Sequence, residues 1–233
     1  MSEVVMLRIA LPERSSILMI GSPGIGLLEF NVGLAQSYLE RGDIVVFVTI
    51  DVLPGDVVSL LKAFGVPVDE LLGKKIFIID YHSSLLGSYD DRSSITEDYV
   101  RKVSDIEGIM FNLTAIANGY GRPIRIFLHS LSTLFLYNQT NVVLKFFQIS
   151  SSRIRSELGM AIFTVHDGVH EDRTINHLMA MADGVIELKF DENLNRRLRI
   201  RHMRGYATST QWIPFEIKQA QQESKMTLLE FSD

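Results

Sequence analysis

The segment Ser16-Ile17-Leu18-Met19-Ile20-Gly21-Ser22-Pro23-Gly24-Ile25-Gly26-Leu27-Leu28 decides the fold of this chain. It joins a short apolar run to a glycine-rich turn. The residues that follow have helical spacing, with Leu28, Val32, Ala35 and Leu39 on one face. Gly42 then stands where such a helix is expected to end. A strand, a glycine loop and a helix in this order predict a βα unit whose loop can approach a phosphate group.

Apolar runs and helical patterns continue to alternate along the whole chain. Predicted strands cover 44–50, 76–79, 124–128, 161–165, 185–190 and 198–203, and predicted helices cover 55–64, 99–118, 142–158 and 174–182. This alternation predicts a largely parallel sheet that is covered by helices on both faces. We expect a single domain over residues 1–233, in which 83–94 form a surface loop and 218–233 a flexible tail.

The charge of the chain argues against a protein that works on nucleic acid. Its 23 Lys and Arg against 28 Asp and Glu give a net charge of −5, whereas phosphate contacts require a basic surface. Arg197, Arg199 and Arg201 do alternate with apolar residues at strand spacing. We interpret that segment as a strand with one solvated, charged face.

Composition excludes several other classes of protein. The chain has no cysteine, which rules out disulfides, thiolate zinc sites and a cysteine nucleophile. It has no apolar run of about 18 residues, the minimum for a membrane span. The N-terminal residues do not follow the pattern of a secretory signal. We therefore expect a cytoplasmic protein without a membrane segment.

The glycine loop departs from the phosphate-loop pattern at its two most important side chains. Gly21 and Gly26 have the required spacing, but Leu27 stands where the pattern has lysine and Leu28 where it has serine or threonine. The lysine neutralises the β- and γ-phosphates, and the hydroxyl binds Mg²⁺. Backbone N–H groups at the start of the helix still favour an anion. The loop therefore predicts weak binding of ATP or ADP at most, without efficient phosphoryl transfer.

Two other kinds of site fit the sequence less well. Gly24 and Gly26 with Asp51 suggest a dinucleotide site, but Glu29 is too large for the position that a third glycine takes in that motif. His166, His170 and His177 are spaced by four and seven residues, which matches no common zinc pattern. We predict no metal site.

Several motifs beyond the loop make the chain similar to one known family. Six segments occur in the family's order: GSPGIG from Gly21, VVFVTID from Val45, RIFLHSLSTLFLYN from Arg125, ELGMAIFTVHDGVHE from Glu157, MADGVIELKF from Met181 and RIRHMRGYATSTQWIPFEI from Arg199. They span nearly the whole chain. In these segments the sequence resembles the KaiC family of the RecA superfamily. The resemblance implies a three-layer RecA-like P-loop fold, nucleotide binding between subunits and often a hexameric ring.

The resemblance also implies where catalytic residues should lie, and this sequence departs from the family there. Two acids that prepare the attacking water correspond to Asp51 and Val52, and the aspartate that holds Mg²⁺ through water corresponds to His129. Histidine is a poor partner for this hard ion. The family's Lys-x-Arg segment, which reaches the neighbouring subunit's nucleotide, corresponds to His202 and Arg204.

These departures predict an inactivated member of the family with no catalytic residues, in which Asp51 is a remnant. We expect a regulatory or assembly protein that forms a homo-oligomer or associates with a related active ATPase. Two alternatives stay open: a switch that binds ATP or ADP weakly without hydrolysing it, and an accessory recombination factor related to RecA.

Overall fold

The protein is built on one nine-stranded sheet, seen in a computed structural model that describes residues 11–85, 100–120, 123–219 and 226–228. The strands of this sheet are β1 (Ser15–Gly21), β2 (Ile44–Thr49), β3 (Ile76–Asp80), β4 (Val100–Lys102), β5 (Ile124–His129), β6 (Gly159–His166), β7 (Gly184–Phe190), β8 (Arg196–Met203) and β9 (Ile213–Pro214). Their order is β4-β3-β2-β5-β6-β1-β7-β8-β9. Strands β1 to β7 are parallel, and β8 and β9 are antiparallel additions at one edge.

Helices cover both faces of the sheet. They are α1 (Leu27–Glu40), α2 (Pro54–Ala63), α3 (Val68–Leu71), α4 (His82–Leu85), α5 (Ile106–Tyr120), α6 (Leu131–Tyr137), α7 (Thr140–Arg153) and α8 (Asp172–Met181). Buried residues of α1, α2 and α3 form one core with one face of the sheet, and those of α5 to α8 form a second core with the other. The central strands are apolar on both faces because both are covered. The expected three-layer RecA-like α/β fold is confirmed.

Parallel strands bring their carboxyl ends to one edge of the sheet. Gly21 at the end of β1 is paired with His166 at the end of β6, and Thr49 at the end of β2 with His129 at the end of β5. The loops that follow these strands therefore lie close together. In open α/β sheets this edge is where ligands bind.

The predicted helix over residues 99–118 begins later than its pattern suggests. Val100–Lys102 form the edge strand β4, and α5 starts only at Ile106. The carboxylate of Asp105 accepts a hydrogen bond from the backbone N–H of Gly108 at 2.7 Å, so it caps the first turn. Tertiary pairing with β3 overrides the helical spacing of the residues before that cap.

The predicted helix over residues 142–158 also differs from the structure. The helix α7 begins at Thr140, and a π-helical turn over Ile154–Leu158 follows its last residue.

The short helices α3, α4 and α6 were not predicted, because four to seven residues give little periodicity. The helix α4 contains the first residues of the predicted loop 83–94, and the rest of that loop lies outside the described residues.

The C-terminal segment is described only in part. A two-stranded antiparallel ribbon is formed by β10 (Ile217–Gln219) and β11 (Met226–Leu228). The ribbon lies beside α1, and Phe215 just before it packs edge-to-face on Phe30 of that helix. The flexibility predicted for 218–233 stays a prediction, since most of these residues lie outside the described ones.

Candidate functional site

The glycine loop has the backbone shape of a turn that only glycine adopts easily. Gly24 and Gly26 have φ angles of 79° and 93°, in the left-handed region. The N–H of Ile25 donates to the carbonyl of Ser22 at 3.1 Å, and that of Phe30 to the carbonyl of Gly26 at 2.9 Å, which closes the first turn of α1. Pro23 is exposed at the tip. The loop thus turns the chain sharply from β1 into the N-terminus of α1.

The side chains of Leu27 and Leu28 belong to the apolar core rather than to a phosphate site. Leu27 is 4% exposed and lies over Gly21, where an added Cβ would come within 2.6 Å of its Cδ2. The same Cβ would come within 2.9 Å of the side chain of Ile25. Leu28 is half-buried against the core below α1. Gly21 is therefore required by close packing, because the side chain of Leu27 fills the space above it.

A cavity of about 390 Å³ lies in front of the loop. It is lined by Ser22, Gly24, Ile25, Gly26, Leu27, Leu28, Glu29, Val52, His129, His166, Arg196 and Ile217. Of these lining residues, Arg196 alone is a permanent cation, and its Nε donates to the carbonyl of Ile25 at 3.0 Å. Glu29, in the first turn of α1, brings a carboxylate to the helix N-terminus where a phosphate would otherwise bind. The cavity is large enough for a ligand but only weakly attractive to an anion.

Asp51 lies beside the cavity and is held by hydroxyl groups. Its Oδ2 accepts hydrogen bonds from the hydroxyls of Ser130 at 2.9 Å and Thr133 at 3.3 Å. Its Oδ1 is buried and has no hydrogen-bond partner, although Nε2 of His129 is 3.7 Å away. The structure thus brings together Asp51 and His129, two positions that the sequence had singled out separately.

His129 is buried at the end of β5 and is bonded to the neighbouring strand. Its Nδ1 is 2.9 Å from the hydroxyl oxygen of Thr164, whose own hydrogen points to the carbonyl of Leu128 at 3.2 Å. On this arrangement Nδ1–H is the donor, and Nε2 faces Asp51 without a proton while the ring is neutral. Burial lowers the pKa of His129, and His166 adds to the lowering while Asp51 opposes it. At neutral pH His129 is therefore a neutral, buried ring.

Two more histidines and a serine complete this edge of the sheet. The hydroxyl oxygen of Ser132 accepts the backbone N–H of His166 at 2.9 Å and lies 2.9 Å from Nε2 of His170. Burial is the main cause that lowers the pKa of His170, and His166 adds to it. Within the described part of the chain no group of three or more His, Asp and Glu side chains is placed to hold a metal ion. His177 lies on α8 and does not join this group.

The predicted interface residue Arg204 lies at the opposite edge of the sheet from the glycine loop. One of its guanidinium nitrogens is 2.9 Å from Oδ1 of Asp183, and Arg155 contacts the same oxygen at 2.7 Å. Oδ2 of Asp183 accepts the backbone N–H and the hydroxyl of Ser16 at 3.0 and 3.1 Å. His202, which lies just before Arg204 at the end of β8, is exposed.

This position keeps Arg204 away from the glycine loop of its own chain. Ser16 is at the start of β1 and Gly21 at its end, a separation of about 17 Å along an extended strand. Arg204 remains about 60% exposed despite its ion pair with Asp183. Its predicted role at a subunit boundary stays a prediction, and any nucleotide within its reach would be bound to another copy.

Three arginines of strand β8 form ion pairs with two carboxylates of the same fold. Arg199 and Arg201 both bond the carboxylate of Glu187, and Arg197 bonds Asp191 at 2.9 Å. Burial alone would raise the pKa of Glu187, but its hydrogen bonds and charge pairing with the two arginines outweigh this and lower it. These pairings reduce the positive charge that β8 offers to a phosphate backbone.

Sequence reasoning missed four residues that shape these two edges. Thr133, Thr164 and Arg196 contact the predicted positions, and Asp183 organises the far edge. No spacing rule connects Asp183 to Ser16, since 167 residues separate them.

No helix in the described part of the chain is long and apolar enough to cross a lipid bilayer.

Comparisons with known proteins agree with this fold. The chain is 28% identical to the UPF0273 protein of Thermotoga maritima, over 89% of this chain and 86% of that protein. It is 27% identical to a UPF0273 protein of Methanopyrus kandleri, over 89% of this chain and 82% of that protein. A KaiC-like protein of Pyrococcus horikoshii has the same fold, with a TM-score of 0.71, 19% identity, and coverage of 94% of this chain and 91% of that one.

A sequence profile of the family described as KaiC-type ATPases matches residues 6–222. The matched range contains the glycine loop, Asp51, His129 and Arg204. We conclude that this chain belongs to the KaiC ATPase family.

Proposed function

We propose that this chain is a KaiC-family domain that does not hydrolyse ATP efficiently and that works as an assembly or regulatory protein. It forms a single domain over residues 1–233, acts in the cytoplasm, and associates with itself or with a related active ATPase. The observation that carries the proposal is Leu27, whose side chain is 4% exposed and packed over Gly21 at the lysine position. A hydrocarbon side chain there cannot neutralise phosphate charge.

Three further positions support the loss of hydrolysis. Leu28 offers no oxygen to Mg²⁺, and His129 offers a buried ring whose Nδ1 is already bonded to Thr164. Of the two positions that correspond to the family's acids only Asp51 is an acid, and both of its contacts to Oδ2 come from hydroxyl groups of α6 and its cap. Hydrolysis needs a positioned water, a metal ion and a phosphate clamp together, and here the last two lack their side chains.

The second candidate function is a switch that binds ATP or ADP without turning it over. It is favoured by the cavity of about 390 Å³, by the backbone N–H groups at the start of α1, and by Arg196 at the rim. Glu29 in the same cavity opposes it. We expect a dissociation constant in the millimolar range, in keeping with a single permanent cation among the cavity's lining residues and with the loss of the family's metal-binding side chains.

The third candidate, an accessory recombination factor related to RecA, has the least support. Three of the arginines of β8 are paired with Glu187 and Asp191, and the net charge of the chain is −5. We expect no salt-sensitive binding to single- or double-stranded DNA. Binding that weakens steeply with salt would favour this candidate over the first.

The proposal is tested by calorimetric titration with ATP and Mg²⁺ beside a phosphate-release assay, on the wild type and Asp51→Asn. We expect no phosphate release above background in either protein. Release by the wild type that Asp51→Asn abolishes would overturn the proposal. Binding without release would select the nucleotide switch. Absence of both would leave an assembly protein that keeps only the fold.

The assembly part of the proposal has its own test. Arg204 and His202 lie on the far edge of the sheet, where a ring would bring them to a neighbour's glycine loop. Mass measurement in solution should show an oligomer, up to a hexamer, alone or with a related ATPase. A monomer that pairs with no such partner at about 100 μM, well above typical weak association, would contradict it.

A further inference from the structure

The backbone of the glycine loop keeps hydrogen-bond donors that the fold does not use. The N–H groups of Leu27, Leu28 and Glu29, in the first turn of α1, meet no acceptor within the described part of the chain. Gly26 precedes them with a left-handed backbone, and Arg196 adds a guanidinium to the lining of the cavity. Free N–H groups at the start of a helix favour a phosphate. The backbone part of a phosphate site is therefore still in place.

The carboxylate of Glu29 lies close to this helix N-terminus. Its Oε2 would be 3.4 Å from a Cβ added to Gly26, the residue that caps α1. The side chain of Glu29 is half-buried and makes no hydrogen bond or ion pair with any residue that the structure describes. The positive end of the helix dipole stabilises a negative charge at this place. A phosphate that approached the loop would therefore meet a like charge at short range.

A side chain from the C-terminal segment lies against the same glycine. Cδ1 of Ile217 would be 2.6 Å from a Cβ added to Gly26, and Ile217 lines the cavity in front of the loop. It is positioned by Phe215, which is 1% exposed and packs edge-to-face on Phe30 of α1 with 5.5 Å between the ring centres. The N–H of Phe215 also donates to the carbonyl of Arg196 at 3.1 Å. Hydrocarbon thus rests on the turn that a phosphate would have to approach.

The strand that carries Ile217 is not part of the main sheet. Within the described residues β10 pairs with β11 alone, in a two-stranded ribbon separate from the nine-stranded sheet. A two-stranded ribbon has little stability of its own. The side chain of Ile217 is only partly buried. Ile217 can therefore leave Gly26 without breaking any strand pairing of the nine-stranded sheet.

We propose that Glu29 and Ile217 close the glycine loop to phosphate, and that the loop binds a pyrophosphate group when they are removed or displaced. We call these two side chains the loop cover. Glu29 excludes the phosphate by its charge, and Ile217 excludes it by its volume. This inference deepens the nucleotide switch and rests on it, because that switch requires phosphate binding at this loop. The loop cover then determines how tightly the switch binds.

Glu29→Gln tests the effect of the charge, because it keeps the size of the side chain. We expect this variant to bind pyrophosphate about tenfold more tightly than the wild type, since one like charge is removed from a partly buried anion site. Glu40→Gln is the matched control and should leave the affinity unchanged, because Glu40 is exposed at the last position of the same helix. Calorimetric titration with pyrophosphate measures both, and this probe has no base that could add contacts of its own.

Ile217→Ala tests the effect of the volume. It removes most of the hydrocarbon over Gly26, so we expect pyrophosphate to bind about threefold more tightly or better. Ile217→Val should give a smaller gain in the same direction, and it serves as the second variant if the alanine variant unfolds. Ile213→Ala is the matched control, because Ile213 belongs to β9 and does not line the cavity.

The inference is overturned if Glu29→Gln, or both Ile217 variants, bind pyrophosphate no more tightly than the wild type. It is also overturned if the two control variants gain as much affinity as the variants of the loop cover. These outcomes are distinct from failure of the proposed function, which is phosphate release by the wild type with ATP and Mg²⁺. Pyrophosphate binding and phosphate release are measured separately, so either idea can fail while the other stands.

Discussion

The two ends of β1 differ sharply in chemistry. At its carboxyl end the glycine loop keeps a phosphate-loop backbone, yet Ile25, Leu27 and Leu28 make it largely apolar. At its amino end Ser16 takes part in a dense polar network, in which Asp183 accepts two hydrogen bonds from Ser16 and contacts two arginines. One short strand therefore joins an apolar loop to a charged cluster.

The difference between the two ends of β1 separates residues that the fold requires from residues that phosphate binding would require. Glycines at the carboxyl end are needed because Gly26 has a positive φ and Gly21 is covered by Leu27, whatever the loop binds. The charged cluster at the amino end connects β1, the π-helical turn after α7 and the end of β8, so it stabilises the fold of this chain. Four predictions test this division, in order of expected effect.

The largest effect is expected at the amino end. Asp183→Ala should lower the free energy of unfolding by about 3–4 kcal/mol, because it leaves two arginines and the buried groups of Ser16 without their partner. Urea denaturation followed by circular dichroism measures the change. Glu192→Ala is the control, since Glu192 is exposed in the β7–β8 turn. A loss under about 1 kcal/mol, the range of ordinary surface substitutions, would mean that the cluster is dispensable to the fold.

Restoring the family's lysine should cost stability without restoring hydrolysis. Leu27→Lys is expected to lower the free energy of unfolding by about 2–3 kcal/mol, because the side chain of Leu27 is buried in the core. Leu28→Thr, at the half-buried neighbour, should cost less. Phosphate release should stay at background in both variants. Substantial turnover by Leu27→Lys alone would show that the rest of the site is competent.

The glycines of the loop provide a matched pair. Gly26→Ala should destabilise by about 2 kcal/mol, because φ is 93° and the new Cβ would lie 2.6 Å from Cδ1 of Ile217. Gly24→Ala has a φ of 79° but open space around it, so only backbone strain of about 1 kcal/mol is expected. Thermal or urea unfolding compares the two. Equal losses would mean that contact with Ile217 does not matter.

The smallest effect is the dependence of stability on pH. Burial lowers the pKa of His129 below its unfolded value near 6.5, so the unfolded chain binds protons more readily. The stability that comes from the neutral ring is fully present above about pH 6.5 and is lost as the pH falls toward the lowered folded pKa. Unfolding free energies measured from about pH 8 down to about pH 5.5 should therefore fall on acidification.

His129→Gln should remove most of that dependence on pH. His170 contributes less to the pH dependence of stability, because it is only half-buried. Glu187 affects stability only at lower pH, because its pKa is lowered and its contribution is lost only when the carboxylate becomes protonated. An unchanged slope in His129→Gln would show that another group titrates in this range. His170→Gln measured in parallel identifies whether that group is His170.

Most of the fold was predictable from residue patterns, and the failures have physical causes. Continuously apolar runs predicted the central strands because both sheet faces are covered. The edge strand β4 was missed because Val100–Lys102 become a strand only by pairing with β3. Leu27 and His129 were identified as departures from the family, but no pattern could indicate that one fills the space over Gly21 and the other bonds Thr164.

The sequence by itself determined the order of elements, the glycine loop and the identity of the side chains at its critical positions. These follow from local rules, since turn geometry, helical spacing and chemical type are properties of neighbouring residues. Only the tertiary structure decided that Ser16 and Asp183 meet and that Asp51 faces His129. Such contacts join residues far apart in the chain, and they depend on strand order and packing, which no local spacing encodes.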